Sequence, residues 1–160
     1  MRPKVAVTNW IHADLLDEIR EFADVVFNPS REAPTHEKAV EMARDADALV
    51  AFMPDRIDDA FLAQCPKLKI VAGALKGYDN FDADACSRRG VWLTVVPDLL
   101  TVPTAELMIA LLLALARNVR RGDALVRSGA FAGWRPVLYG ASLGGKNFGF
   151  VGMGAVARAA

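Results

Sequence analysis

The first hundred residues alternate short β-branched apolar runs with longer segments in which apolar side chains recur every three or four positions. The short runs predict five strands, at residues 5–8, 24–28, 48–53, 68–73 and 91–95. Strands that alternate with helices are typical of a parallel sheet covered by helices on both faces. The pattern therefore predicts an open three-layer α/β sandwich, in which the strand at 68–73 is central.

The segments between these strands predict helices. Residues 14–22, 36–43 and 58–64 each place their apolar side chains on one face, as expected of a helix that packs on a sheet. A shorter helix is predicted before the fifth strand, with Asp82 as its N-cap and Gly90 at its end.

After the fifth strand the pattern changes to one long apolar stretch. Residues 103–128 predict a single helix, with Pro103 in its first turn, Gly122 as the place of a bend and Gly129 as its end. Between residues 107 and 115 this helix is apolar almost all round, which predicts that something other than solvent covers it.

The end of the chain predicts a buried strand at residues 147–152 that turns into a helix. Gly152, Gly154 and Ala157 occupy the three small positions of the pattern G-x-G-x-x-G/A, where a dinucleotide pyrophosphate meets the start of a helix. A chance glycine-rich turn before an alanine-rich stretch has the same letters, and the strand predicted before the turn favours the dinucleotide-binding interpretation. The acidic residue expected about 20 positions later does not fall within these residues, so the pattern leaves NAD and NADP both open.

Composition narrows the classes of function. Of 160 residues, 19 are basic and 19 acidic, and a formal charge of zero argues against nucleic acid or an anionic membrane as partner. Cys65 and Cys86 are too few for a disulfide scaffold or a four-ligand zinc site, and they favour a reducing cytoplasm. The N-terminal segment turns acidic too early for a signal peptide, and the most apolar segment, residues 107–116, is too short to cross a bilayer.

Few side chains suggest chemistry. Lys76 follows the fourth strand, where a cation can meet an anionic substrate at the carboxyl edge of a sheet, although a solvated lysine on a turn is the simpler interpretation. The acidic group at residues 79–84 lacks the glutamate of a calcium loop and predicts helix capping by Asn80 and Asp82. His12 and His36 have no acid or cysteine partner in a catalytic or metal-binding pattern, so no metal site is predicted.

Several motifs are shared with known enzymes. The pattern G-x-D-N-x-D at residues 77–82, T-A-E at 104–106 and the glycine motif together resemble the D-isomer-specific 2-hydroxyacid dehydrogenase family. AFMPDR at 51–56, Lys76 within ALKG, and VPDLLTVPTAEL at 96–107 resemble its phosphite (phosphonate) dehydrogenase branch most closely. The resemblance covers essentially all of this chain and about the first half of a family member.

The resemblance implies a fold and a set of site residues. Residues 1–98 would form a flavodoxin-like, doubly wound substrate-binding lobe. Residues 99–160 would supply the interdomain and dimer helix, a connector and the first strand and turn of an NAD-binding Rossmann domain. The substrate anion would be held by the clamp residue Lys76 with the backbone of its neighbours, beside two apolar side chains, and the substrate-binding set is Met53, Leu75, Lys76, Gly77 and Leu100. The cofactor-binding set is Thr104, close to the nicotinamide, with Gly152, Gly154, Ala155 and Val156 at the pyrophosphate.

The implied reaction is oxidation of phosphite to phosphate, with NAD as the hydride acceptor, in a cytoplasmic homodimer. An alternative is NAD-dependent oxidoreduction of a small 2-hydroxy or 2-keto acid, in which Lys76 pairs with a carboxylate. The family's catalytic arginine, glutamate and histidine have no counterpart within these 160 residues, so a third hypothesis is a noncatalytic fragment.

Overall fold

Two compact units make up the computed structural model, which describes residues 2–160: one runs to Pro97 and the other from Asp98 to Ala160. The first unit contains the five predicted strands; the first is offset by one residue from the predicted run, and the other four are shorter than theirs. They are β1 (Lys4–Val7), β2 (Asp24–Phe27), β3 (Ala48–Ala51), β4 (Ile70–Gly73) and β5 (Trp92–Thr94). The roles predicted for the two parts of the chain remain predictions.

The strands form one parallel sheet in the order β2-β1-β3-β4-β5. The chain leaves β1 toward β2 on one side and then returns to β3 on the other side of β1. This is the flavodoxin-like order, and it confirms the predicted fold class. Because the order reverses between β1 and β3, the chain leaves these two strands toward opposite sides, and in open α/β sheets ligands bind at the carboxyl edge near such a switch point.

Four helices of the first unit connect the strands, namely α1 (Ala13–Phe22), α2 (His36–Ala43), α3 (Asp59–Gln64) and α4 (Ala83–Arg88). Alternation along the strands divides the core by face. The larger cluster joins Leu49 and Val71 of the sheet to Phe61 of α3, and the smaller one contains Val5 and Val7. Burial of these clusters fixes which residues of each strand point outward.

Local capping agrees with the sequence. Asp82 Oδ1 accepts a hydrogen bond from the Ala85 amide at 2.8 Å, which confirms the predicted cap of α4. Asp58 caps α3 in the same way, 3.0 Å from the Phe61 amide. The glycines predicted to end helices at 90 and 129 have φ of +70° and +73°, the left-handed conformation of a helix C-terminus.

In the second unit the prediction of one long helix was wrong. Two helices, α5 (Thr101–Ala116) and α6 (Val119–Arg127), bend by 64° at a short break. Asn118 adopts φ 54° at the break, and its side-chain amide donates to the Tyr139 carbonyl at 2.9 Å. The carbonyl of Ala116 also accepts a bond from the Ala141 amide at 2.8 Å. The segment after α6 therefore bonds polar groups at the break, including the Ala116 carbonyl, which a continuous helix would bond internally. Gly122, the predicted place of the bend, lies inside α6.

The buried strand predicted at residues 147–152 was also wrong. The segment forms no strand, and the Val151 side chain is fully exposed. A strand requires a partner to pair with, and within residues 2–160 the five described strands all belong to the first unit. A short helix, α7 (Ala155–Ala159), does follow the glycine turn.

No single helix of residues 2–160 is long and apolar enough to cross a bilayer; α5 and α6 meet the requirement for length and composition only as a bent pair.

Candidate functional site

Three loops of the first unit meet at the carboxyl edge of the sheet, because all five strands run in the same direction. The loop after β1 begins with Thr8 and Asn9, the loop after β3 contains residues 52–58, and the loop after β4 contains residues 74–82. The last two are neighbours, since β3 and β4 pair from Ala48↔Ile70 to Ala51↔Gly73.

The loop after β4 carries three of the predicted substrate-binding residues. Leu75 is buried, and its carbonyl accepts a hydrogen bond from the Val96 amide at 2.9 Å. Lys76 and Gly77 follow it and are exposed. A Cβ atom added at Gly77 would have one neighbour within 4 Å, Asp79 Oδ2 at 3.9 Å. The space beside the Gly77 backbone is therefore open to a ligand.

Met53 lies on the loop after β3 with 79% of its surface exposed, although the loop itself is firmly held. The support is Asp55, which is 5% exposed. Its Oδ2 atom accepts hydrogen bonds from Thr8 Oγ1 at 2.5 Å, from the Phe52 amide at 2.7 Å and from Asn9 Nδ2 at 3.2 Å. This carboxylate thus joins the loop after β3 to the end of β1.

Burial raises the pKa of the Asp55 carboxyl above its ordinary value, while the hydrogen bonds from Thr8, Phe52 and Asn9 act in the opposite direction. Removing a carboxylate from water is costly, and three donors to one oxygen offset part of that cost. Asp55 is therefore a buried polar group with a full set of partners rather than a proton donor exposed to a substrate.

Asn80 joins the same loop to its other neighbour. Its side-chain amide donates to the Asp55 carbonyl at 2.7 Å and approaches the carbonyls of Phe52 and Met53 at 3.3 Å each. A bridge between Ile57 and Phe81 continues this contact. The sequence predicted a helix-capping role for Asn80, and the structure corrects it: Asp82 caps α4, whereas Asn80 ties two loops together.

The sequence analysis missed Thr8, Asn9 and Asp55. The available signal was weak: a Thr-Asn pair directly after β1, and a Pro-Asp pair soon after β3. Only the parallel pairing of β1 with β3 brings these segments together.

The cysteines are not candidates for nucleophilic chemistry. Both are buried, and burial raises the pKa of the Cys65 thiol to about 11 and raises that of Cys86 as well. A protonated, enclosed thiol is a poor nucleophile. Among residues 2–160 no three His, Cys, Asp or Glu side chains are placed to share a metal ion.

In the second unit, the predicted residues fall in two places. Leu100 is the N-cap of α5, and Thr104 Oγ1 donates to its carbonyl at 2.6 Å. Gly152 has φ +95° and makes the turn that the glycine motif requires, while Gly154 is the N-cap of α7.

The glycine turn can be compared with what the pyrophosphate of a dinucleotide requires. No atom lies within 4 Å of a Cβ added at Gly152 or Gly154, so the backbone is accessible to a pyrophosphate. Ala155 and Val156 supply the first amides of α7. The turn fits the pyrophosphate in residue type and backbone conformation, although the strand expected before it does not form.

Comparison with known proteins then places the chain. Residues 5–159 match the family described as D-isomer specific 2-hydroxyacid dehydrogenase, catalytic domain. The chain belongs to this family. The family is one of oxidoreductases whose members bind NAD(P).

Curated relatives in this dehydrogenase family include two archaeal proteins named glyoxylate reductase. The one from Thermococcus litoralis is 39% identical over 164 residues, which cover 99% of this chain and 50% of that protein. The one from Pyrococcus furiosus is 41% identical over 165 residues, covering 99% and 49%. The chain therefore spans about half the length of the curated relatives it matches.

Solved structures agree on the fold. A putative D-isomer specific 2-hydroxyacid dehydrogenase, NAD-binding, from Polaromonas superposes with a TM-score of 0.93 at 28% identity, over 99% of this chain and 50% of that one. An NADPH-dependent glyoxylate/hydroxypyruvate reductase from Sinorhizobium meliloti, in complex with NADP and malonate, gives a TM-score of 0.75 at 27% identity, over 99% and 49%.

These comparisons correct one expectation. The similar curated proteins carry the name glyoxylate reductase and not phosphite dehydrogenase. The resemblance to the dehydrogenase family is thus confirmed, while the phosphite branch has less support than the 2-hydroxy acid alternative.

Proposed function

We propose that the protein carrying these residues reduces a small 2-keto acid of the glyoxylate type to the 2-hydroxy acid, with NADH or NADPH as the hydride donor. The observation that carries the proposal is an exposed lysine, Lys76, after an interior strand of a 2-hydroxyacid dehydrogenase sheet. The similarity to two glyoxylate reductases over 99% of the chain supports the choice of substrate.

In this function Lys76 binds the substrate carboxylate. A flexible ammonium at the carboxyl edge of the sheet attracts a small anion, and the adjacent peptide of Gly77 has open space before it for the same group. Met53, on the neighbouring loop, supplies an apolar wall that favours a short substrate. These residues bind and orient the acid, and orientation by itself supplies a large part of a rate enhancement.

The cofactor would be held at its pyrophosphate by Gly152, Gly154, Ala155 and Val156, with Thr104 near the nicotinamide. When bound, the reduced nicotinamide supplies the hydride that the carbonyl carbon accepts, and the carbonyl oxygen takes up one proton. We place the protein in the cytoplasm, where its two buried, unpaired cysteines stay reduced.

A second candidate is oxidation of phosphite to phosphate. The observation in its favour is the pair of sequences AFMPDR and ALKG, which resemble the phosphite branch. Lys76 would then bind the phosphite anion in place of a carboxylate.

The test uses the uninterrupted reading frame that contains these 160 residues. Its product is assayed with glyoxylate plus NADH or NADPH, and with phosphite plus NAD or NADP. We expect kcat/KM for glyoxylate to exceed that for phosphite by more than about 100-fold, a difference of about 2.7 kcal/mol in transition-state stabilisation. The opposite ratio would establish the second candidate, and a folded product inactive on both would support the noncatalytic hypothesis.

A further inference from the structure

Asp55 holds two neighbouring loops at once. Its carboxylate faces the end of β1 and accepts hydrogen bonds from Thr8, Asn9 and Phe52. Its own carbonyl faces the other way and accepts the Asn80 amide at 2.7 Å. Through this one residue, the loop that carries Met53 is tied both to β1 and to the loop that carries Lys76.

Burial of the Asp55 carboxylate costs free energy of desolvation. A buried carboxylate with uncharged donors keeps part of its desolvation penalty, which is consistent with the raised pKa of Asp55. An apolar residue of similar size would avoid that penalty but would leave the donors of Thr8, Asn9 and Phe52 without this acceptor. Buried polar groups that break the local rules of packing are found most often where a site needs a defined geometry.

The position of the ties matches that explanation. Asn80 Nδ2 reaches the carbonyls of Phe52 and Met53 at 3.3 Å each, directly beside the exposed Met53 side chain. Asn80 itself lies four residues after Lys76 on the same loop. These bonds therefore connect the backbone of Met53 to the loop that carries Lys76.

We propose that Asp55 and Asn80 are positioning residues that set the spacing between the Met53 loop and the Lys76 loop, and thereby the size of anion that the site accepts. Thr8 supports them by fixing the Asp55 carboxylate. This inference rests on the proposed function for its consequence in catalysis, whereas the tie between the loops depends only on the structure of the first unit.

The first experiment measures hydrogen exchange in the 160-residue chain. Asn80→Ala removes the amide that joins the loops, and we expect residues 52–57 to exchange more than about tenfold faster. Asp82→Ala is the matched control: it removes the cap of α4, only two positions away, and is expected to speed exchange at Ala85 but not at residues 52–57. Unchanged exchange at residues 52–57 in Asn80→Ala overturns the inference.

The second experiment separates positioning from packing in the active enzyme. Thr8→Val keeps the side-chain volume and removes the hydroxyl that donates to Asp55, whereas Thr8→Ser keeps the hydroxyl and leaves a small void. We expect Thr8→Val to raise KM for glyoxylate about tenfold, in line with the loss of one hydrogen bond to a charged group, with cofactor KM within about twofold. KM for glyoxylate in Thr8→Ser should stay near the wild-type value. If Thr8 only filled space, the void left by serine would raise this KM more than valine does.

The outcomes are distinguishable. Faster loop exchange with an unchanged KM in Thr8→Val and Asn80→Ala would overturn the positioning role. A wild-type reading frame inactive on glyoxylate and phosphite would overturn the proposed function, and the exchange measurement would then decide the tie between the loops by itself. If Thr8→Val does not fold, Asn80→Ala provides the same KM comparison.

Discussion

Lys76 combines an exposed side chain with a backbone held by its neighbours, since Leu75 before it is buried and Asn80 after it is tied to the next loop. Replacing Lys76 with alanine in the active enzyme should raise KM for glyoxylate about 100-fold and change cofactor KM little, because one charge-assisted contact is lost on the substrate side only. Steady-state kinetics with each substrate varied in turn measures this.

Lys67→Ala is the control for that substitution. Lys67 is also exposed, and it precedes β4, so it lies toward the opposite edge of the sheet. Its removal should leave both KM values unchanged. Equal kinetics for the two variants would exclude Lys76 from the substrate site.

Asp47 links the starts of three strands and makes stability depend on pH. Its carboxylate accepts the Lys4 amide at 3.0 Å and Lys69 Nζ at 2.9 Å, and these bonds hold the pKa of Asp47 below its ordinary value of 3.8. A lowered pKa stabilises the folded chain above pH 3.8, and that stabilisation is lost as the pH falls through the lowered value. Asp47→Asn should therefore unfold at lower urea concentration near pH 7, and the difference from wild type should vanish once the pH is well below the lowered pKa of Asp47.

The same substitution at Asp17 provides the comparison. Asp17 pairs with Arg20 on the exposed face of α1, and surface pairs of this kind contribute little to stability. Asp17→Asn should match wild type at both pH values. A pH-independent loss in Asp47→Asn would mean that its hydrogen bonds, rather than its charge, matter.

At the scale of elements, the end of β4 packs closely against its surroundings. A Cβ added at Gly73 would lie 2.9 Å from Phe81 Cε2 and 3.0 Å from the Thr94 carbonyl oxygen of β5. Gly73→Ala should lower the free energy of unfolding by about 1–3 kcal/mol through overpacking. Gly77→Ala, where the nearest atom is 3.9 Å away, should change it by less than about 0.5 kcal/mol. Urea denaturation of both variants measures this, and similar values would show that the β4 end adjusts freely.

At the scale of the whole molecule, an exposed stripe of leucines on α5 bears on the oligomeric state. Leu107, Leu111 and Leu115 recur every four residues on this helix and are all exposed. We propose that this stripe forms a homodimer contact, because an exposed apolar row of this length is typical of an interface. The product of the whole reading frame should sediment as a dimer, and Leu111→Lys should convert it to a monomer.

Leu15→Lys on α1 is the control for the dimer, since Leu15 is also exposed but lies outside the stripe. It should sediment as wild type does. A wild-type monomer at micromolar concentration would exclude the proposed contact.

The cofactor site also depends on more than its local motif. In the 160-residue chain the glycine turn precedes a five-residue helix, and no strand forms before it. Helices of fewer than about 12 residues are marginal in water, and α7 packs on α5 but has no preceding strand to hold its N-terminal amides against a sheet. Calorimetric titration of this chain with NAD should give no saturable binding tighter than about 1 mM, and tighter binding would show that the turn is sufficient by itself.

The sequence by itself determined the features that depend on neighbouring residues. The five strands, the cap at Asp82, the end of the helix at Gly129 and the position of Lys76 soon after β4 were all predicted from local patterns. Each follows from a period of two or about 3.6, or from one side chain bonding a backbone group three residues away. Such patterns can be recognised in a short segment before its tertiary partners are known.

The tertiary structure decided what depends on residues distant in the chain. The break at Asn118 is stabilised by the Tyr139 carbonyl, 21 positions later, and the predicted strand at 147–152 is absent because pairing partners, rather than composition, make a strand. The Asp55 network joins residues 47 and 25 positions apart, at Thr8 and Asn80. These contacts exist only once β1, β3 and β4 lie side by side, which is why no local pattern announces the residues that hold the substrate loops in place.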